Sequence, residues 1–268
     1  MAKTLTIEGL VEKILGYAPD SDTEIVRLAY EFAKDAHEGQ TRRSGEPYIT
    51  HPLAAAHILA DIRIDPVIVT ATLLHDVPED TEVTLEDIEK NFGSDIASLV
   101  RGITKLGKLK YRGVERYIEN LRKMFVAMAE DARVMLIKFA DRVHNLTTLG
   151  SLPPQKQYRI ALESLEIYAP IAGRLGIAEM KGQLEDLSFR YVYPKEYARV
   201  KNIRTEKLQG KEGYIDTVRT HAKEEIASAG VTICSIEGRE KRLFSFYQKL
   251  IRKDNKMARI YDLVAIRI

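Results

Sequence analysis

The stretch VIVTATLLHDVPED, residues 67–80, decides the predicted fold. An Asp-Pro pair precedes its apolar run from Val67 to Leu74, and proline is well tolerated at the first position of a helix, so a buried helix is predicted here. At its end come His75 and Asp76, two polar side chains where a purely structural helix would have apolar residues or a simple cap. The pattern predicts a functional site at the end of a core helix.

Pro78 is predicted to interrupt this helix, because it lacks an amide hydrogen and clashes with the preceding turn. It also disfavours helical geometry at Val77, so the helix is predicted to end near that residue. Glu79 and Asp80 would then lie on a turn beside His75. Two further carboxylates could deprotonate a water molecule or protonate a leaving oxygen. The alternative is that they cap the following segment.

Outside this stretch, the pattern is helical over most of the first 195 residues. An apolar stripe from Ile25 closes at Gly39, His51 and the proline after it begin another helix, and Thr84 with Asp87 resembles a capping box. Further helical stretches are predicted at 115–129, 131–149, 154–173 and 177–192. The fold class is therefore predicted to be mainly α.

Four residues form a predicted metal site, each histidine or aspartate coming from a helical segment as a site inside a helical bundle requires. Two imidazoles and two carboxylates neutralise a divalent cation and suit Mn²⁺, Fe²⁺ or Zn²⁺ without distinguishing between them. The four residues are His51, His75, Asp76 and Asp141.

Two other patterns indicate a nucleotide beside the metal. Asp141, Asn145 and Thr148 are spaced i, i+4 and i+7, so they share one helix face. The basic loop GQTRRSGEPY leads directly into the first metal ligand, and Arg42 and Arg43 could clamp phosphates or stack on a base. The alternative for this loop is a solvated surface segment.

The amino-acid composition limits the class of protein and its expected location. The charged content of 30% and hydrophobic content of 45% are typical of a globular protein, and the single cysteine, Cys234, suits a reducing compartment. No stretch resembles a signal peptide or a membrane span, so a cytoplasmic location is expected. The net charge is +2, with the excess of basic residues in 201–268. A basic segment suggests phosphate-bearing ligands or a solvated helix face.

The pattern changes after Pro194. A basic helix is predicted at about 211–229, followed by strand, helix and strand at Val231–Glu237, Leu243–Ile251 and Tyr261–Ile268. This order predicts an α/β unit, and two strands are rarely a stable sheet alone, so the beginning of a second domain is expected. The predicted domains are residues 1–195 and 196–268.

The chain resembles the RelA/SpoT homologue family, which makes and hydrolyses the alarmone (p)ppGpp. The resemblance is carried by RRSGEPYITHPLAAAHILA, LLHDVPEDT, KFADRVHNLTTL and EIYAPIAGRLGIAEMKGQLEDLSFRYV, and it covers residues 25–200. It implies an HD-type helical phosphohydrolase domain that removes pyrophosphate from ppGpp or pppGpp in the bacterial stringent response. The hydrolase is expected to be active, because both the His-Asp and the Glu-Asp elements are present.

The resemblance also implies residue roles. The four predicted ligands match positions that hold Mn²⁺, and Glu79 and Asp80 match an acidic pair linked to hydrolysis. The positions implied to contact the nucleotide are Arg42, Arg43, Ser44, Asn145 and Thr148. Pro78 and Thr147 depart from the family pattern, and altered rate or affinity is expected from them.

The last segment resembles the start of the family's synthetase domain, a truncated nucleotidyltransferase-like α/β segment. Arg239, Lys241 and Lys249 match basic nucleotide-binding positions, Arg242 departs from the pattern, and Asp262 matches a Mg²⁺-binding carboxylate. This chain is not expected to synthesise ppGpp. Other hypotheses are a phosphohydrolase acting on a different nucleotide and a module that regulates a synthetase. No nucleic-acid or membrane partner is expected.

Overall fold

A computed structural model describes residues 5–107, 114–208, 213–254 and 264–267. These residues are mainly helical, as predicted, and they separate into a first unit, Met1–Leu184, and a second unit, Glu185–Ile268. The division lies eleven residues before the predicted one, inside a helix, and the assignment of 1–195 and 196–268 as domains stays a prediction. None of the described helices has the length and apolar content required to cross a membrane.

The described residues of the first unit form helices α1 to α10, and their core centres on α3. Its faces are buried almost all round, and it packs on α1, α4 and α8. The helices are α1 (Ile7–Tyr17), α2 (Glu24–Ala36), α3 (Thr50–Asp61), α4 (Pro66–Leu73), α5 (Val77–Asp80), α6 (Leu85–Gly107), α7 (Val114–Glu130), α8 (Arg133–Thr147), α9 (Pro154–Glu163) and α10 (Ala169–Arg174), with a 3₁₀ turn at Leu149–Ser151 and a π-helical turn at Ser164–Tyr168.

Helix α4 is the predicted core helix, but it is shorter than predicted. The Asp65 side chain accepts a hydrogen bond from the Val67 amide and caps its first turn, as the Asp-Pro signal indicates. The helix ends at Leu73 rather than near Val77, and a turn follows. Pro78 does not terminate α4; it lies in the first turn of α5, where a missing amide hydrogen leaves no intrahelical bond unmade.

Helix α6 begins as predicted. The Thr84 amide donates to Asp87 Oδ2 and the Asp87 amide donates to Thr84 Oγ1, which confirms the capping box. Gly93 breaks the helical geometry with φ 84° and ψ 168°, a conformation that favours glycine.

The second unit contains α12 (Pro194–Leu208), α13 (Tyr214–Ser228), β1 (Glu237–Glu240), α14 (Leu243–Arg252) and β2 (Val264–Arg267); α11 (Ala178–Val192) crosses the division. The Phe244 amide at the start of α14 donates to Asp186 Oδ1 at 2.8 Å, and the Phe189 ring packs against Phe244 and Tyr247. A distant carboxylate therefore caps this helix, and aromatic rings attach it.

The strand predictions are partly wrong. β1 and β2 pair antiparallel, with Glu237 opposite Arg267. The predicted strand Val231–Glu237 is not formed: residues 231–236 are irregular, and Val231 is 59% exposed. Its β-branched residues indicate a strand only where a half-buried surface receives them. Of the predicted final strand, residues 261–263 and 268 lie outside the described residues, and so does Asp262. The nucleotidyltransferase-like assignment stays a prediction.

Candidate active site

Three of the predicted metal ligands meet inside the first unit. His51 lies in the first turn of α3, His75 in the turn after α4, and Asp141 in the middle of α8. One ligand atom from each lies within 4.8 Å of the others, and the residues are 2%, 2% and 6% exposed respectively. Three helices that pack on one another therefore bring residues 51, 75 and 141 to one point.

Asp76 completes the cluster from the same turn as His75. Its Oδ2 lies 3.5 Å from His51 Nε2, and its Oδ1 lies 3.1 Å from His75 Nε2. The early end of α4 lets two consecutive residues face one centre, which an unbroken helix would not allow, because its neighbouring side chains point about 100° apart.

The histidine orientations fit a metal. His75 Nδ1 lies 2.7 Å from the Thr72 carbonyl oxygen, so the ring proton is assigned to Nδ1 and the lone pair to Nε2. That Nε2 is buried and has no hydrogen-bond partner, since its contact with Asp76 lacks hydrogen-bond geometry. A buried lone pair with a fixed tautomer is what a divalent cation requires of imidazole.

His51 presents its Nε2 to the same centre, 3.3 Å from Asp141 Oδ1. Its Nδ1 lies 2.7 Å from His144 Nδ1. Burial lowers the pKa of His51, and burial together with His51 and Arg42 lowers the pKa of His144 to about 3. Both rings are therefore neutral near pH 7. His144 contacts the predicted ligand His51 through the ring nitrogen that faces away from the cluster.

Lys138 is a buried partner that the sequence patterns did not indicate. Its Nζ lies 2.6 Å from Asp141 Oδ2. Burial alone would raise the pKa of Asp141, but Lys138 and the nearby histidines hold that pKa well below its ordinary value. The spacing of Lys138 and Asp141, three residues apart on one helix, is the signal that could have revealed the pair.

The acidic pair lies in α5, one helical turn beyond the cluster, rather than in an irregular turn. Burial and the negative charge of Asp76 raise the pKa of Glu79. The Tyr48 hydroxyl lies 2.6 Å from Asp80 Oδ2 and 3.0 Å from Asp76 Oδ2. No sequence signal revealed Tyr48, because its partners are 28 and 32 residues away along the chain.

A cavity of about 430 Å³ adjoins the cluster, and the five residues predicted to contact a nucleotide all line it. Its lining is Thr41, Arg42, Arg43, Ser44, Tyr48, Arg142, Asn145, Thr148, Leu149, Ser151, Leu152 and Ile160. Arg142 is an addition to the predicted set; it is held by Glu163 at 3.3 Å and by the ring of Tyr168.

A chain of hydrogen bonds joins this cavity to Asp141, one of the predicted metal ligands. Arg42 Nη2 donates to Asn145 Oδ1 at 2.9 Å, and Asn145 Nδ2 donates to Asp141 Oδ1. A group bound by Arg42 would therefore lie one residue away from a ligand of the predicted metal. Thr147, one of the two departures, is exposed and donates to the His144 carbonyl oxygen, and it contacts none of the four ligands.

Several known proteins are similar to this chain in sequence. The chain is 47% identical over 262 residues to the bifunctional (p)ppGpp synthase/hydrolase SpoT of Escherichia coli, covering 97% of this chain and 37% of that protein. It is 43% identical over 265 residues to the GTP pyrophosphokinase of Streptomyces coelicolor, covering 98% of this chain and 31% of that protein. The chain thus spans roughly a third of these relatives.

A solved structure, described as a metazoan ortholog of SpoT that hydrolyses ppGpp, is similar with a TM-score of 0.52 and 26% sequence identity. The similarity covers 63% of this chain and 96% of that one. The sequence profile of the HD domain matches residues 29–178, which include every residue of the cluster and its cavity. Because this match spans more than half of the chain, the protein belongs to the HD domain family.

Proposed function

We propose that this chain is a metal-dependent phosphohydrolase that converts ppGpp and water to GDP and pyrophosphate, and pppGpp to GTP and pyrophosphate. The observation that carries the proposal is the set of hydrogen bonds that links the buried His/Asp cluster to residues lining the arginine-bearing cavity. The HD family implies a divalent metal, and the names of the relatives give the substrate. A cytoplasmic location remains part of the proposal and is supported by the single cysteine.

The residues of the cluster fit a divalent cation, and we propose Mn²⁺. His51, His75, Asp76 and Asp141 would hold it, and the unpartnered His75 Nε2 is the atom that most needs a positive neighbour. When bound, such a cation supplies positive charge that polarises a phosphoryl group and favours a deprotonated water. Burial lowers the pKa of His51, and Lys138 and the histidines hold the pKa of Asp141 well below its ordinary value, so these two residues would bind a cation without first losing protons.

The cavity would hold the rest of the nucleotide. Its volume lies within the range of about 300–1,000 Å³ that is typical of small-molecule sites. Arg42 and Arg43 bring two guanidinium groups, which pair with phosphate oxygens or stack on a base. Ser44, Asn145 and Thr148 add hydroxyl and amide groups for hydrogen bonds. The Arg42–Asn145–Asp141 chain would set the distance between the nucleotide and the reacting phosphate.

The reaction needs a water oxygen to attack the phosphorus bonded to the ribose 3′ oxygen. The new P–O bond forms as the bond to the 3′ oxygen breaks, and that oxygen leaves with a proton as the 3′ hydroxyl of GDP. Glu79 and Asp80 lie in α5, directly after Asp76, and are not needed as ligands, and we propose that they orient the water and transfer the proton. The raised pKa of Glu79 supports proton transfer.

Metal-dependent turnover tests the proposal. The purified chain, stripped of metal and titrated with Mn²⁺, should release GDP and pyrophosphate from ppGpp in proportion to bound metal. Asp76→Asn removes one carboxylate from the cluster and should lose both metal binding and turnover. A chain that binds one Mn²⁺ and releases neither product would refute the proposed activity, while an Asp76→Asn variant with full metal content would refute the assigned ligand.

A further inference from the structure

The Tyr48 hydroxyl occupies the gap between the metal cluster and the acidic pair. It lies 3.0 Å from Asp76 Oδ2 and 2.6 Å from Asp80 Oδ2, so it bridges two carboxylates. A hydroxyl group has one proton to donate, and the shorter contact assigns that proton to Asp80. The hydroxyl therefore places a hydrogen-bonding group between the two carboxylates.

The side chain of Tyr48 is itself positioned by packing against His37. The His37 ring, only 3% exposed, stacks on the Tyr48 ring with centroids 4.3 Å apart and an interplanar angle of 19°. His37 Nδ1 lies 2.9 Å from Gln40 Oε1, and Gln40 Nε2 donates to the Asp80 carbonyl oxygen at 2.9 Å. These contacts form a closed ring through His37, Gln40, Asp80 and Tyr48. We call His37, Gln40 and Tyr48 the tyrosine bracket.

The bracket also closes the base of the arginine loop. The Tyr48 amide donates to the Gln40 carbonyl oxygen at 3.0 Å, so the ends of the loop that carries Arg42 and Arg43 are hydrogen-bonded to each other. Gln40 therefore holds both the loop, through its backbone, and the Asp80 backbone, through its side chain. Gln40 thus connects the loop that lines the cavity to the helix that carries the acidic pair.

We propose that Tyr48 is a positioning residue for hydrolysis, which holds the Asp80 carboxylate beside Asp76 and is held in turn by His37 and Gln40. This inference rests on the proposed function. The hydroxyl acts on Asp80 and leaves the metal ligands in place, because their positions are set by α3, α8 and the turn after α4. Loss of the hydroxyl should therefore slow the chemical step while metal and nucleotide still bind.

Tyr48→Phe is the sharpest variant, since it removes one oxygen and keeps the ring that stacks on His37. A hydrogen bond to a charged group accounts for about a 10- to 100-fold effect, so kcat should fall by that factor. The KM for ppGpp should stay within about threefold, and the Mn²⁺ affinity, measured by calorimetry without substrate, should not change. Tyr30→Phe, the same change on α2, is the matched control and should behave as wild type.

A double-mutant cycle with Asp80→Asn identifies the group through which Tyr48 acts. If the hydroxyl acts through Asp80, adding Tyr48→Phe to the Asp80→Asn variant should change kcat by less than about twofold. A full additional loss in that background, a rise confined to KM, or a drop in Mn²⁺ affinity would each overturn the inference. An unaltered kcat in Tyr48→Phe, with an active wild-type chain, would overturn it alone; an inactive wild-type chain would refute the proposed function as well.

Discussion

Lys138 and Asp141 form an ion pair inside the first unit, with the lysine Nζ 2.6 Å from the carboxylate Oδ2 and only 19% and 9% of the two side chains exposed. The same carboxylate faces His51 and is a proposed metal ligand. Lys138 therefore neutralises the charge of Asp141, and we propose that a bound cation shares this role.

The variant Lys138→Met tests whether Lys138 and the cation both compensate the charge of Asp141. Removing one partner of a buried pair leaves an uncompensated charge, so the free energy of unfolding of the metal-free protein should fall by about 3 kcal/mol. Mn²⁺ should then raise the melting temperature of the variant more than that of the wild type. Lys34→Met is the matched control, because its pair with Glu31 is exposed and contributes less than about 1 kcal/mol. Equal stabilisation of both proteins by Mn²⁺ would contradict this account.

The stability of the metal-free protein should decrease between pH 6.5 and about 4. The pKa of His144 is about 3 in the folded protein and 6.5 in its ordinary state. The unfolded chain therefore takes up a proton in this window and the folded chain does not, so the free energy of unfolding falls as pH falls and is constant above the window. His51 acts in the same direction, and Asp141 contributes only at lower pH.

Urea unfolding in the presence of a chelator, at pH 7.5 and pH 5, measures this dependence. His144→Asn removes one of the responsible groups and should flatten the slope between the two pH values. An unchanged slope would show that His144 titrates normally in the folded protein.

The variant Glu79→Gln distinguishes a role of Glu79 in proton transfer from a role in metal binding. The variant keeps the shape of the side chain but cannot transfer a proton, so kcat should fall by about 10²-fold or more at unchanged Mn²⁺ content. Glu82→Gln, just beyond α5, is the matched control and should retain activity. A Glu79→Gln enzyme of wild-type kcat would reduce this residue to a helix cap.

Sequence patterns were reliable where the signal is local. The Thr84–Asp87 capping box involves atoms of neighbouring residues, and the structure confirms it. Asp65 before Val67 likewise marks the start of α4. The end of α4 was predicted less well, since Pro78 suits the first turn of α5 as well as it ends a helix.

Contacts between residues that are distant in the sequence limit how much of the site could be predicted. The four proposed ligands could be grouped because histidine and aspartate have a recognisable metal chemistry. Tyr48 carries no such signature, and its bond to Asp80 exists only because the arginine loop folds back on α5. The strand at Val231–Glu237 failed for the same reason, since its pairing depends on a partner that lies elsewhere in the chain.

A fragment of residues 1–195 tests the proposed domain boundary. All residues of the proposed site, including the lining of the cavity, lie before residue 161, so the fragment should hydrolyse ppGpp with kcat within about threefold of the whole chain, a change worth roughly 0.65 kcal/mol. The truncation uncovers Phe189, which packs on Phe244. Phe244→Ala in the whole chain removes that packing without truncation and is the matched control. A folded, metal-loaded but inactive fragment would place the boundary later.

The position of bond cleavage tests the central claim most directly. Turnover of ppGpp with Mn²⁺ in ¹⁸O-labelled water should place one ¹⁸O in each pyrophosphate and none in GDP, because water attacks the phosphorus bonded to the 3′ oxygen and that bond breaks. Mass spectrometry of the two products reads out the label. Label in the 3′ hydroxyl of GDP, or release of single phosphates in place of pyrophosphate, would contradict the proposed reaction.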